Sequence, residues 1–354
     1  MSLSVGIVGL PNAGKSTLFN ALLGRQVARA ENYPFCTIEP NVGVVEVPDD
    51  KLPILGKIEK SQTLIPAAVE FVDIAGLVKG AAGGEGLGNK FLAHVREVDL
   101  VCYVLRFFDD DNVDRAGSVN PRQDLAVLRT EMALKDLETL EKVLSKKPKN
   151  DEESWRFRVA QKASALLGAG QRLDSKNFTK EENQALNSFF LLTSKPEIVV
   201  LNVAEESFGK TDDLLGSFVD LDPIVICAKL EAELALLSPE EQKEYLTNLE
   251  IEQSGLEKLI KKAYSQLGLV SFYTAGEKEA RAWTVPKGVL APQAAGVIHT
   301  DFEKSFIKAE VVSYLDFVNF SGWNQCRSLG KTRFEGRDYQ FMGNEVVEFK
   351  VGRG

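Results

Sequence analysis

The sequence is poor in the side chains that build disulfide frameworks and metal centres. Its 354 residues include two histidines and four widely spaced cysteines, Cys36, Cys102, Cys227 and Cys326, with no CxxC pair. A disulfide framework or a zinc site is therefore not expected, and the cysteines are interpreted as isolated small side chains in a reducing cytosol. No apolar stretch approaches the ~20 residues of a membrane span. No leader-like segment precedes the first strand pattern at Ser4. We therefore expect a cytoplasmic protein without a membrane partner.

The composition is that of an ordinary folded protein with an acidic surface. Hydrophobic residues make up 44% and charged residues 26% of the chain, which argues against wholesale disorder. The 42 basic and 51 acidic residues give a formal charge of -9, which argues against a protein wrapped on nucleic acid over its whole surface. The C-terminal residues 271–354 have a slight basic excess, which is weak evidence for contact with a polyanion there.

Near-continuous Val/Ile/Leu runs predict the central strands of an α/β fold. Such runs suit strands covered on both faces, and therefore a parallel sheet flanked by helices. A helical pattern over 15–23, ended near Gly24, follows the first run. The strands are predicted at 4–9, 67–73, 100–105, 197–202 and 223–227.

The pattern predicts a helical insertion between the third and fourth strands. Residues 121–144 contain no glycine and have apolar positions about 3.5 residues apart, which predicts one long helix. A second helix with Trp155 on its apolar face and a third over 180–192 follow. We predict a nucleotide-binding domain of residues 1–120 and 196–270, interrupted by a helical, coiled-coil domain of 121–195. The insertion is either structural packing or a lever for a partner, and its sequence does not distinguish these roles.

Residues 271–354 are predicted to form a separate, small, mostly β domain. Short strand patterns alternate there with Gly/Pro turns. The strands are expected at 271–274, 282–285, 306–312, 338–341 and 346–350.

A phosphate-binding loop lies at the start of the chain. Residues 9–16, GLPNAGKS, match G-x-x-x-x-G-K-[ST] between a strand and a helix, as that motif requires. The glycines let backbone N–H groups turn toward anionic oxygens, and the helix N-terminus adds a favourable dipole. Lys15 is expected against the β- and γ-phosphates, and Ser16 is expected to coordinate Mg²⁺.

Two further segments are typical of the switches of a GTPase-type domain. Residues 73–76, DIAG, end an apolar strand, so Asp73 is expected to hold Mg²⁺ directly or through water, and the Gly76 N–H to approach the γ-phosphate. Thr37 is expected as a second hydroxyl on Mg²⁺. Because the γ-phosphate orders such segments and hydrolysis releases them, the pattern indicates a nucleotide-controlled switch.

The base-reading loop departs from the usual N-K-x-D. The fourth strand ends in Asn202-Val203-Ala204-Glu205, with valine for lysine and the longer glutamate for aspartate. Residues 227–229, CAK, stand where GTPases have S-A-K. Losing the polar pair aimed at guanine should remove much of its preference. We infer that ATP is accepted and preferred; a GTP site with relaxed base specificity is the alternative.

With these motifs the chain resembles the Obg-like ATPase family, the YchF group of translation-factor-class P-loop proteins. The resemblance covers essentially the whole chain and is carried by residues 9–17, 32–38 (NYPFCTI), 73–81 (DIAGLVKGA), 202–205 (NVAE) and 287–304. It implies a G domain with an inserted coiled coil, a C-terminal TGS domain, ATP hydrolysis and association with ribosomes.

Residue by residue, the resemblance gives a set of expected ligand contacts. Ser16 and Thr37 would hold Mg²⁺, and Val203 with Asn202 would line the adenine pocket. Asn12 matches an asparagine that helps to hold K⁺ in related potassium-stimulated enzymes, so a K⁺ site is a hypothesis. The expected ATP-binding residues are Asn12, Ala13, Gly14, Lys15, Ser16, Thr17, Asn202, Val203, Cys227 and Ala228.

Slow hydrolysis is expected, with Lys15, Asp73 and Gly76 as the main catalytic candidates. Many GTPases have a water-orienting Gln after D-x-x-G, whereas this chain has Leu77, which cannot hydrogen-bond through its side chain. The family commonly places a substitute His in the loop after the third strand, where this chain has Asp114. Asp114 could orient water although the triphosphate repels it, or it could be a solvated loop residue. Arg115 could stabilise charge instead.

Two rival functions stay open at this level. The first is a slow ATPase that works as a monomeric switch on ribosomes, with RNA contact through the TGS and helical domains. His299, Lys287, Lys304 and Lys308 are candidates for that contact, with a solvated sheet face as the alternative. The second is a binding scaffold that uses nucleotide for stability. A metabolic kinase is disfavoured because no acceptor pocket or lid is visible in the sequence.

Overall fold

The described part of the chain contains two six-stranded sheets, one two-stranded sheet, the helices that cover them and a helical hairpin. The computed structural model describes residues 3–24, 41–74, 89–108, 119–207, 216 and 218–352. The strands are β1 (Ser4–Val8), β2 (Val42–Glu46), β3 (Thr63–Ile65), β4 (Ala68–Asp73), β5 (Leu100–Phe107), β6 (Glu197–Val203), β7 (Ile224–Ile226), β8 (Leu269–Ala275), β9 (Glu279–Pro286), β10 (Val289–Leu290), β11 (Phe306–Ser313), β12 (Arg333–Glu335), β13 (Gln340–Phe341) and β14 (Glu345–Val351).

Helices connect and cover these strands. They are α1 (Lys15–Gly24), α2 (Lys51–Glu59), α3 (Asn89–Glu97), α4 (Pro121–Leu144), α5 (Asp151–Gly168), α6 (Lys180–Asn187), α7 (Ala228–Leu234), α8 (Pro239–Asn248), α9 (Gly255–Gln266), α10 (Ala291–Ile298), α11 (Thr300–Ser305), α12 (Tyr314–Asn319) and α13 (Trp323–Ser328). Among the described residues, no helix is long and apolar enough to span a bilayer.

The first sheet has the order β2-β4-β1-β5-β6-β7. All neighbours are parallel except β2, which runs antiparallel to β4. The parallel sheet expected from the five predicted strands is confirmed, and β2 adds an antiparallel strand at its edge. The run Val-Gly-Val-Val-Glu of β2 is a weak strand signal because it is short and contains a glycine.

Alternating side chains of β5 and β6 serve two cores on opposite faces of the sheet. Cys102, Val104 and Val200 pack with Ala13 and Ala228 in one core. Their neighbours in the chain, which include Tyr103, Leu105 and Leu201, pack in the other. The first face is therefore the one that the phosphate loop covers.

The helical hairpin begins and ends on local sequence signals. Asn120 caps α4 by accepting from Gln123 N, and Pro121 occupies the first turn, where its missing N–H is harmless. The helix predicted over 121–144 is confirmed at both ends.

The third helix of the insertion is shorter than predicted. It ends at Asn187 instead of residue 192. Phe190 has a positive φ of 52°, which breaks the helix. The buried Asp136 of α4 then accepts from the backbone of Leu192 and of Thr193, at 2.9 and 2.8 Å.

The second sheet has the order β12-β11-β14-β8-β9-β3, so it takes one strand from the N-terminal part of the chain. β3 pairs in parallel with β9 and extends the sheet formed by residues after 268. The expectation of a mostly β C-terminal region is incomplete, because α10 to α13 also lie there. The run Ala-Pro-Gln-Ala-Ala begins α10, with proline in the first turn and alanine, the best helix former, after it.

Polar contacts around α2 join the two sheets. The Tyr273 hydroxyl donates to the Asp49 carboxylate at 2.8 Å, and the Trp323 N–H donates to Glu59 at 3.1 Å. The Ser61 hydroxyl donates to the Gly276 carbonyl at 2.7 Å. The segment between β2 and β4, which contains α2 and β3, thus attaches the second sheet to the first.

Candidate nucleotide site

The phosphate loop leaves β1 and enters α1 with the backbone turned sharply. Asn12 and Gly14 have φ angles of 61° and 88°. The Leu18 N–H donates to the Gly14 carbonyl at 2.9 Å, which starts the helix. A β-carbon at Gly9 would overlap the Val104 carbonyl, so the loop lies directly on β5. Asn12, Ser16 and Thr17 are exposed beside it, as binding residues must be.

Lys15 is a buried cation within this loop. Its side chain is 8% exposed, and its Nζ donates to the Leu10 carbonyl at 2.7 Å. Burial lowers the pKa of Lys15, while the nearby negative charge of Asp73 opposes that shift. A desolvated ammonium in a cradle of backbone N–H groups can bind a polyphosphate strongly.

Asn202 links the phosphate loop to the loop after β7. Its Nδ2 donates to the Ala13 carbonyl and its Oδ1 accepts from the Ala228 N–H, both at 3.0 Å. The side chain is buried. Sequence reasoning assigned Asn202 to the adenine pocket; the geometry adds that its amide holds two of the expected binding segments together.

Asn202→Ala is expected to lower the free energy of unfolding by about 2–4 kcal/mol, because two buried backbone groups lose their partner. Nucleotide affinity should fall with it, since the phosphate loop loses its support. Urea unfolding and nucleotide titration measure the two effects.

Asn183→Ala is the matched control. Asn183 also donates to two carbonyls, those of Ser175 and Phe178, but it lies in the helical insertion. The Asn183→Ala protein should lose stability and keep its nucleotide affinity. Equal losses of affinity in both variants would contradict the role of Asn202 in supporting the phosphate loop.

The base-reading segment is apolar on one side and ion-paired on the other. Val203 and Cys227 are buried in a cluster with Leu230, Leu234 and Leu246. Glu205 is exposed, and its carboxylate lies 3.7 Å from the Nζ of Lys229. Sequence reasoning missed this pair, although a glutamate and a lysine in the two predicted base-reading loops gave a signal for it.

Two of the three expected magnesium ligands lie among the described residues. Asp73 ends β4 and is buried, and Ser16 is in the first turn of α1. β1 and β4 are parallel neighbours, so both residues follow the same edge of the sheet. A carboxylate and a hydroxyl are oxygen donors, which suit Mg²⁺. Among the described residues there is no cluster of three or more His, Cys, Asp or Glu that could hold a metal without a nucleotide.

Several predicted residues cannot be placed in this site. Thr37, Gly76, Asp114 and Arg115 lie outside the described residues. Their assigned roles therefore stay predictions.

Comparisons with known proteins agree with this geometry. The model for the 50S ribosome-binding GTPase family matches residues 4–148. The YchF-GTPase_C model, a family described as a protein of unknown function, matches 269–352. The ribosome-binding ATPases YchF of Bacillus subtilis and Haemophilus influenzae are 44% and 45% identical, each over 99% of both chains.

A solved structure agrees over the same length. The YchF GTPase of Schizosaccharomyces pombe is 35% identical, with a TM-score of 0.89 over 99% of this chain and 98% of that one. These matches confirm the predicted fold class, an α/β P-loop domain of the GTPase type followed by a C-terminal YchF domain. This chain belongs to the YchF family of P-loop proteins.

Proposed function

We propose that this chain is an ATP-hydrolysing switch protein that binds ribosomes. One observation carries the proposal: an intact phosphate loop with a buried lysine stands beside a base-reading loop that lacks the guanine-selecting residues. The bacterial relatives bear the name ribosome-binding ATPase, in agreement with it. The turnover resets a conformation and makes no metabolite.

Adenine preference follows from the two sides of the base-reading loop. The side chain of Val203 is a hydrocarbon with no charge and no hydrogen-bond donor, and it is packed in an apolar cluster. The Glu205 carboxylate is engaged by the Lys229 ammonium. A guanine ring would therefore meet neither the lysine nor the aspartate that usually read it, and Lys229 would compete with its N–H groups for the Glu205 carboxylate; polar groups left unpaired reduce affinity. Weak GTP hydrolysis is compatible with this arrangement.

Hydrolysis uses few groups of the protein. Backbone N–H groups of residues 12–17 hold the phosphate oxygens, and Lys15 binds the β- and γ-phosphates. Ser16, Asp73 and Thr37 would hold Mg²⁺, which neutralises phosphate charge when it is bound. Gly76 would contact the γ-phosphate. With Leu77 in the place of a water-orienting glutamine, and with Asp114 and Arg115 as doubtful substitutes, turnover is slow.

Asn12 is the proposed contact for K⁺. It is exposed at the turn of the phosphate loop, where a monovalent cation would meet its side-chain oxygen and the nucleotide phosphates. Hydrolysis measured in matched K⁺ and Na⁺ buffers should be faster in K⁺. Equal rates in the two buffers would remove this ion from the proposal.

Ribosome contact is assigned to the regions outside the nucleotide-binding part. We propose a nucleotide-binding domain of residues 1–120 and 196–270, a helical domain of 121–195 and a TGS domain of 271–354. The last two would meet the ribosome, and RNA within it, with the protein as a monomer in the cytoplasm.

Co-sedimentation with ribosomes tests the switch. The protein should pellet with ribosomes to different extents with a non-hydrolysable ATP analogue, with ADP and without nucleotide, because the γ-phosphate orders the switch segments. Equal co-sedimentation in all three conditions would favour the scaffold function instead. Absence of co-sedimentation in every condition would contradict ribosome binding.

A further inference from the structure

Arg106 is a buried cation that the proposed function does not use. It lies near the end of β5, in the apolar run Leu-Val-Cys-Tyr-Val-Leu-Arg-Phe, and is 3% exposed. A lone arginine in such an apolar strand is a sequence signal for a buried charge.

The strand register brings Arg106 to the nucleotide site. Arg106 is the direct neighbour of Asn202 across the β5–β6 pair. Alternation along β5 puts it on the face of Cys102 and Val104, which pack against the phosphate loop and α7. Arg106 therefore lies beside the side chain that holds the Ala13 carbonyl.

The guanidinium is only partly satisfied. Its Nε donates to the Phe108 carbonyl at 2.9 Å, and the guanidinium carbon lies 4.9 Å from the centre of the Phe108 ring. Its Nη1 is buried and has no hydrogen-bond partner among the residues that the structure describes. No carboxylate of the described residues forms an ion pair with it. A buried cation without a counter-ion destabilises a fold, so such a group is more typical of a ligand site than of a core.

We propose that Arg106 is a positioning residue of the nucleotide site, which acts on the phosphates through the phosphate loop. The usual N-K-x-D loop has a lysine at the position of Val203. Arg106 supplies the positive charge that this lysine would bring. Its Nη1 is buried and does not touch the nucleotide. We assign its free Nη1–H to a backbone carbonyl of the loop, which would hold the loop in the conformation that binds the phosphates. The inference rests on the proposed nucleotide binding and deepens it.

Two variants separate this role from simple packing. Arg106→Met should weaken binding of ATP, ADP and GTP by similar factors of about ten to a hundred, because a charged hydrogen bond to the loop is lost whatever the base. Arg106→Lys should restore part of the affinity. Without nucleotide, Arg106→Met should melt at the same temperature as the wild type or higher, because a buried unpaired charge is removed.

The matched control is Arg129→Met. Arg129 also carries a buried nitrogen, its Nε, that has no partner in the described part of the chain, but it pairs with Glu197 at the opposite end of β6. This variant should keep nucleotide affinity whatever its stability.

Affinity of the folded protein, measured by calorimetry well below the melting temperature, decides the inference. A uniform loss in Arg106→Met that lysine partly restores supports it. Wild-type affinity in Arg106→Met overturns it, and so does a loss confined to one base. If the wild type itself binds no nucleotide, the proposed function fails before this inference is reached.

Discussion

Lys15→Ala is expected to lower the rate of ATP hydrolysis by about a hundredfold or more, because it removes a preorganised donor to the reacting phosphates. The ammonium is already desolvated and held against the Leu10 carbonyl. It therefore needs little reorganisation when the triphosphate arrives. Phosphate release at saturating ATP measures the effect, and titration separates it from weaker binding.

Lys195→Ala is the matched control for this change. Lys195 is a half-buried lysine whose pKa is lowered by burial, and its Nζ donates to the Arg96 and Val98 carbonyls. It lies before β6, at the edge of the sheet opposite the phosphate loop. The control should lose stability and keep its ATPase rate. A Lys15→Ala protein that hydrolyses ATP at the wild-type rate would contradict the assigned site.

Gly14→Ala is expected to weaken ATP binding by about a hundredfold, since backbone strain and a lost buried hydrogen bond add up to about 3 kcal/mol. Gly14 has a φ of 88°, which an alanine adopts only with strain. Its added β-carbon would also overlap the Asn202 Nδ2. The bond from Asn202 to Ala13 must then break, and the phosphate loop must move. Calorimetric titration with ATP measures the loss.

Gly170→Ala separates the two causes. Gly170 has a similar φ of 71°, but an added β-carbon there would meet no atom within 4 Å. The control should lower the melting temperature through backbone strain and leave ATP affinity unchanged. If Gly14→Ala binds ATP as tightly as this control, the bond between Asn202 and Ala13 does not support the loop as described.

Features with local causes were predictable from the sequence. The ends of α4 follow from the Asn120 cap, the proline at 121 and the Lys-Lys-Pro that follows. The phosphate loop was recognisable because its glycines, lysine and serine have fixed spacing between a strand and a helix. The family and the P-loop α/β fold followed from these motifs, and the comparisons confirm both.

Features that depend on distant pairing were not predictable. β3 joins β9 although more than two hundred residues separate them, and nothing in Thr-Leu-Ile indicates its partner. The position of Arg106 beside Asn202 depends on the register between β5 and β6, which a single strand pattern cannot give. The double contact of Asn202 likewise depends on how two loops approach each other.

The arrangement of β3 also bears on the switch. α2 and β3 lie between β2 and β4, that is, between the segments expected to carry Thr37 and Gly76. They are bonded to the second sheet through Asp49, Glu59 and Ser61. In the chain these elements lie between the two predicted switch segments, and in the fold β3 pairs with β9 of the C-terminal sheet.

Competitive calorimetry of ATP against GTP, in Mg²⁺ with the wild-type protein, tests the central claim most directly. The account predicts one nucleotide per chain, with ATP displacing GTP at the lower concentration. Binding of GTP more tightly than ATP would contradict the assigned role of Val203 and of the Glu205–Lys229 pair. No binding of either nucleotide would contradict the phosphate site itself.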